Sequence, residues 1–215
     1  MTNNIDKIVP PALPQPPTDY DRAFMDQNSN VFRLFFNRLI NVINTLLSIE
    51  TGGKVLYMPY GSFYSIVDQP SVILDTPQVV LFEEKRGSSG VSIDEDNPSR
   101  IIIESSGAYH IEVVLRTTQR NIDPTDSFVD VWLKTKGVNI EYSGMQYLTP
   151  GFDIFKGNVS TLSGTFIFNA NDYIEVFWAA HNPNDTPIVL STLAPRETIA
   201  GIPSAAIAIT YVSNV

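Results

Sequence analysis

The sequence contains no cysteine among its 215 residues. That excludes a disulfide framework and a thiolate metal site, so folding must rest on packing and hydrogen bonds alone. Histidine is nearly as scarce. His110 and His181 are the only two, and neither belongs to a His-Glu-x-x-His run or a nucleophile elbow. Long uncharged hydrophobic runs are missing as well. The oiliest stretch, residues 30–50 (NVFRLFFNRLINVINTLLSIE), is broken by Arg33 and Arg38, which leaves 11 uncharged residues from Leu39 to Ile49. A membrane-spanning helix needs about 20, so no membrane insertion is expected. The opening residues lack the basic region and apolar block of a secretory leader, and none is expected. Basic residues are outnumbered too. Net charge is -9, and because five acids balance five bases up to Lys54, the whole excess lies beyond it. An acidic domain repels phosphate backbones, so nucleic acid is not an expected partner.

Proline is plentiful at one end. Pro10, Pro11, Pro14, Pro16 and Pro17 all fall within the first 17 residues. Fixed φ angles and missing N–H donors predict an extended polyproline arm over 1–18. Thr18 then offers an N-cap hydroxyl with Asp21 three residues on, and Thr51-Gly52-Gly53 offers a C-cap, which predicts a helix over 19–51. Met25, Asn28, Phe32, Phe35, Leu39, Val42, Leu46 and Ile49 recur at alternating steps of three and four. That is a heptad seam, with Asn28 as its polar register-setter. Phe36, Ile40, Ile43 and Leu47 widen the apolar face beyond what two helices cover. Three strands, or a helix that also docks on another surface, are therefore expected. The alternative, a core helix packed on its own domain, fits poorly with so long an element.

From residue 54 to 215 the texture is that of one β domain. Short apolar runs at 54–58, 62–66, 78–82, 100–104, 107–118, 127–135, 138–142, 159–168, 172–180, 187–193 and 204–212 alternate with turn signals such as Thr135-Lys136-Gly137 and Asn169-Ala170-Asn171-Asp172. Tyr109, Ile111, Val113 and Leu115 share one face of their strand, while His110, Glu112 and Arg116 share the other. The expected fold is mainly β, an antiparallel jelly-roll sandwich preceded by the extended arm and one long helix. Trp132, Tyr173, Phe177 and Trp178 lie on strands with apolar residues on both faces. They are expected to contact a sister subunit, with sugar stacking as the alternative for the tryptophans.

Two resemblances add to this reading. GAYHIEVVL (107–115), DVWLKTKGVNIEYS (130–143), FNANDYIEVFWAA (168–180) and IPSAAIAITYV (202–212) come in the order and rough spacing of the trimeric jelly rolls of the tumour-necrosis-factor and complement-head type. Asn171 stands where that pattern usually has glycine, which a left-handed turn position tolerates. PPTDYDRAFMDQNSNVFRLFFNRLINVINTLL (16–47) resembles the proline-rich leader and helix that open many structural proteins of tailed bacteriophages. The shared elements are Pro16, Pro17, Tyr20, Asp21, Phe24, Met25, Phe36, Asn37 and Leu39. The likeness implies a virion protein whose arm and helix, through the five prolines, Tyr20 and Phe24, anchor it to other capsid or tail proteins.

Residues suited to chemistry are few. Asp94-Glu95-Asp96-Asn97 lacks the spacing, glycine and distal glutamate of a hand-type calcium loop and reads as a solvated turn. Asp126 with Asp130, or Glu83 with Glu84, would serve glycan cleavage only at the right separation. The expectation is therefore a protein that is not an enzyme and needs no cofactor. It would be a homotrimeric phage appendage, in the form of a fibre, a spike or a capsid decoration. A host-receptor or glycan-binding head is the alternative, and a polysaccharide depolymerase a further one.

Overall fold

The computed structural model describes residues 18–19, 21–47, 58–121, 123–151, 157–198 and 200–214. The five prolines, Tyr20, Ile49 and the Thr51-Gly52-Gly53 cap lie outside them. The chain divides into two units, Met1–Met58 and Pro59–Val215.

In the first unit, α1 runs from Arg22 to Leu47, 26 residues, or about 39 Å at about 1.5 Å per residue. Its N-cap is Asp21 rather than Thr18. The Asp21 Oδ1 accepts the Ala23 N–H at 2.8 Å, and the Asp21 carbonyl accepts the Met25 N–H at 3.1 Å. A carboxylate satisfies a free first-turn donor and also favours the positive end of the helix dipole, which a hydroxyl does less well. The helix accordingly starts later than the Thr18 signal suggested.

The second unit contains β1 (Tyr60–Ser65), β2 (Gln69–Pro70), β3 (Gln78–Val79), β4 (Glu84–Ser89), β5 (Val91–Ile93), β6 (Ile101–Ile103) and β7 (Gly107–Gln119). After these come β8 (Ser127–Thr135), β9 (Val138–Asn139), β10 (Met145–Thr149), β11 (Asn158–Phe168), β12 (Asp172–His181), β13 (Ile188–Leu190) and β14 (Ala205–Ser213). The strands form two antiparallel sheets. One is ordered β4-β1-β14-β7-β11, with β13 and β2 continuing beside β7. The other is ordered β5-β6-β12-β8-β10, with β3 on β12 and β9 on β8. The pairs are nested in sequence: β8 with β10, outside them β7 with β11, then β6 with β12, then β1 with β14. Successive nested pairs alternate between sheets. A long antiparallel ribbon rolled up in this way is a jelly roll, as the alternation of the sequence led one to expect.

Side chains of period two meet between the sheets. On the first, Tyr109, Ile111 and Val113 of β7 lie opposite Tyr211, Ile209 and Ile207 of β14. On the second, Val131 and Leu133 of β8 lie opposite Trp178 and Val176 of β12. All ten are buried in one core with Phe63, Ile101, Ile103, Leu162 and Phe168. Tyr109 makes edge contacts with Phe168 and Tyr211 at 6.1 and 5.4 Å and donates its hydroxyl to the Ser105 carbonyl at 2.7 Å. Burial there pushes its phenol up to about 12. The glycine two residues before Tyr109 has a steric reason. Gly107 has φ +154°, and a Cβ there would sit 2.5 Å from the Tyr211 ring.

Turn chemistry follows the sequence closely. Lys136 and Gly137 have φ of 49° and 79°, the geometry of a two-residue hairpin turn between β8 and β9, and Asn171 takes φ 64° ahead of β12. Strands β2, β4, β5 and β10 lie outside the expected runs. Strand β4, Glu84-Lys85-Arg86-Gly87-Ser88-Ser89, is an edge strand, where charge discourages pairing with other chains but hides the strand pattern. The expected strands at 78–82 and 138–142 shrink to two residues each, although Val80 and Phe82 still enter the core.

Candidate functional site

Two surfaces gather the candidate residues, one in each unit. On α1, no residue is buried. Met25, Phe32, Leu34, Phe36, Ile40, Ile43, Leu46 and Leu47 are exposed, and Phe24, Asn28, Val31, Phe35, Leu39 and Val42 are half-buried. The half-buried stripe contains four positions of the expected seam, Asn28, Phe35, Leu39 and Val42. The remaining described ones, Met25, Phe32 and Leu46, are more open. Phe35 and Phe36 meet edge to face at 5.7 Å. Asn28 Oδ1 is shielded from water yet has no hydrogen-bond partner among the described residues. A shielded amide oxygen without a donor is costly.

The second surface is the outer face of the β12–β8 sheet, and it corrects the expected subunit contacts. Trp178 is 1% exposed and belongs to the core, because it alternates with Phe177 and faces the other sheet with Ile174 and Val176. It is not available to a partner. Trp132, Tyr173 and Phe177 do share the outer face, half-buried. Phe177 is registered opposite Trp132, and the two rings stack with centroids 5.9 Å apart at 27°. The Trp132 Nε1–H donates to Asn139 Oδ1 at 3.1 Å. Two rings of this row carry a cation of the same chain: Lys134 Nζ lies 3.9 Å from the Phe177 centroid, and the Arg100 guanidinium lies 4.5 Å from that of Tyr173. Arg100 also approaches Glu175 at 3.6 Å, and Lys136 pairs with Asp172. Burial alone would raise the Asp172 carboxyl, but the Lys136 ammonium and the Asn169 N–H outweigh it and hold it below its ordinary value. Many of this face's charges thus find partners within the chain.

At one pole a buried polar knot ties the β7–β8 loop to the β12–β13 loop. Asp123, 4% exposed, accepts the Thr125 N–H and the Asn184 amide on Oδ1 at 2.9 and 3.1 Å. Its Oδ2 accepts the Thr186 hydroxyl and the Asn182 amide at 2.8 and 3.3 Å. The Thr125 N–H first, then the Thr186 hydroxyl and the side-chain amide of Asn184, hold its carboxyl well below the usual range against the opposing effect of burial. Asn182 also donates to Ser127 Oγ at 2.7 Å. No local sequence signal joins Asp123 to Asn182, Asn184 and Thr186, which lie about 60 residues further along the chain.

The remaining candidates separate. His110 is exposed on the outer face of β7, as the strand alternation indicates. His181 ends β12, between Asp75 and Asp130. In the acidic turn, Asp94 Oδ1 accepts the Asp96 N–H and Asn97 Oδ1 accepts both the N–H and the hydroxyl of Ser99, so these side chains serve their own backbone. Asp126 accepts the Gly151 N–H, and Asp130 is held by His181 and Gln146. Glu83 accepts the Ser65 hydroxyl. Among the described residues no group of three or more His, Asp or Glu is placed to hold a metal, and no helix is long and apolar enough to cross a membrane. No protein-family model matches the chain, and no curated protein matches it.

Proposed function

We propose that this chain is the subunit of a homotrimeric appendage on a tailed-phage particle. In this reading α1 associates with sister helices, the proline-rich arm engages other virion proteins, and the jelly roll is the part left free to meet the surroundings. The observation that carries the assembly part is the 26-residue helix with no buried residue and an apolar face too wide for one partner. The shielded, unpaired Asn28 oxygen supports it, because an asparagine layer inside a coiled coil supplies the missing donor from a sister chain. The phage part rests on the resemblance of residues 16–47. The test has two arms: the mass of the full chain in solution, expected at three times that of one chain, and an averaged electron image of the particle with this chain labelled.

An adhesive head is the second reading, favoured by the half-exposed Trp132 ring on the outer sheet face. Lys134 and Arg100 already occupy positions over the neighbouring rings, so a sugar would have to displace them or stack on Trp132 alone. A cell-adsorption assay with the full chain and with Trp132→Ala separates this reading from pure decoration. Equal adsorption by both argues against a sugar platform at this ring.

A further inference from the structure

The segment between β2 and β3, residues 71–77, crosses beside the last residues of β12. It carries the most exposed aliphatic pair of the second unit, Val72 at 81% and Ile73 at 62%, next to Leu74, which packs against the core. Asp75 follows with φ 58°, a left-handed conformation that aspartate tolerates better than most non-glycine residues and that its surroundings here hold in place. Two bonds do so. The Asp75 N–H donates to the Ala180 carbonyl at 2.9 Å, and the Asp75 carboxylate meets His181 Nδ1. On the opposite side of β12, His181 Nε2 lies 2.9 Å from Asp130 Oδ2. An imidazole with a carboxylate at each nitrogen must carry both protons to donate to both.

We propose that Asp75, His181 and Asp130 form a proton-controlled latch that fastens the 71–77 strap to the sandwich, closed while the imidazole is doubly protonated and opened at the Asp75 end when it loses one proton to solvent. The open end is at Asp75 because its side chain is 74% exposed, against 38% for Asp130, so water replaces its bond more readily. Asp130 is held from its other side as well, by the Gln146 amide of β10 at 2.9 Å. Phe128, opposite His181 on β8, adds no charge, and the charged groups that bear on the ring are the two carboxylates. Burial by itself would lower the histidine's affinity for its proton. Its bonds to Asp75 and Asp130 outweigh this and hold its pKa above the ordinary 6.5. The sign follows. A raised folded value means the latch is complete below the unfolded value and is lost as pH rises through the folded one. Opening removes the side-chain restraint on the left-handed Asp75 and leaves the strap tip held by Gln78, whose Oε1 accepts the Val72 N–H at 2.9 Å and whose Nε2 donates to the Ile73 carbonyl at 3.4 Å, so the device sets how firmly an apolar tip is held as a function of pH.

The experiment uses the full chain. Proton NMR of His110→Gln leaves His181 as the only histidine, and its titration midpoint is expected above 6.5, falling by about one unit in Asp75→Asn. Because the chain has no cysteine, Val72→Cys carries a single environment-sensitive dye that reports the strap. Its signal is expected to follow the His181 titration and to become flat across the same pH range in His181→Gln. A His181 midpoint at or below 6.5 overturns the proposal without any change at the latch. So does a dye response that His181→Gln leaves unaltered.

Discussion

The helix Arg22–Leu47 and the sandwich Pro59–Val215 are both rich in Phe, Ile, Leu and Val, yet the sandwich hides these side chains and the helix leaves them open. The difference is one of partners. Each sheet puts every second residue on its inner face and finds the other sheet there, so Ile111, Ile209, Val131 and Trp178 are covered within the unit. A single helix has no such internal partner. Even good helix formers are marginal alone in water, and most helical stability in proteins comes from packing an apolar face. The sandwich therefore has the core of a self-sufficient domain, whereas the helix has the surface of an unfinished one. In the proposed function, association falls to the helix and presentation to the sandwich.

The contrast can be broken or sharpened by substitution, beginning with the strongest. Leu39→Asp combined with Leu46→Asp places carboxylates in the seam at a cost of several kcal/mol. The full chain should fall to monomers in sedimentation velocity while the β signal in circular dichroism persists, and trimers that survive would move the seam elsewhere. Trp178→Ala should do the reverse. It empties a core site, lowers sandwich stability in denaturant titrations by about 3–5 kcal/mol, and leaves native trimers intact. Acid separates the units next. Because the Asp123 carboxyl is depressed in the fold, its contribution is complete above the unfolded carboxylate value and is lost as pH falls below it. The sandwich should lose stability on that acid limb, and Asp123→Asn, less stable at neutral pH, should lose less of what it has. Asn28→Val should raise the thermal stability of the assembly by about 1 kcal/mol and loosen its stoichiometry, seen as mixed species by native mass spectrometry. The smallest change is expected from Lys134→Ala, about 0.5–1 kcal/mol of sandwich stability through the lost contact with the Phe177 ring.

Regular elements were legible because their side-chain period is fixed by backbone geometry. The alternation Tyr109, Ile111, Val113, Leu115 named its own buried face, and Lys136-Gly137 and Asn171 named their turns. Face parity even held the correction to the subunit contacts, since Trp178 and Phe177 are adjacent in sequence and so cannot share one face of a strand. What stayed hidden were partnerships between residues far apart in sequence. Asp75 and His181 are brought together by a short strap, and Asp123 and Asn182 by two loops at one pole, and neither pair has any local signal. Arg100 over Tyr173 is of the same kind. Edge strand β4 was obscured for a different reason, because the charges that protect an edge erase the apolar pattern.

Sedimentation equilibrium of the unmodified full chain, over a range of concentrations, bears most directly on the claim that the open helix face is covered by sister helices. A single species of three times the chain mass is expected, with dissociation only on dilution or on charging the seam. A monodisperse monomer that persists at high concentration would contradict it.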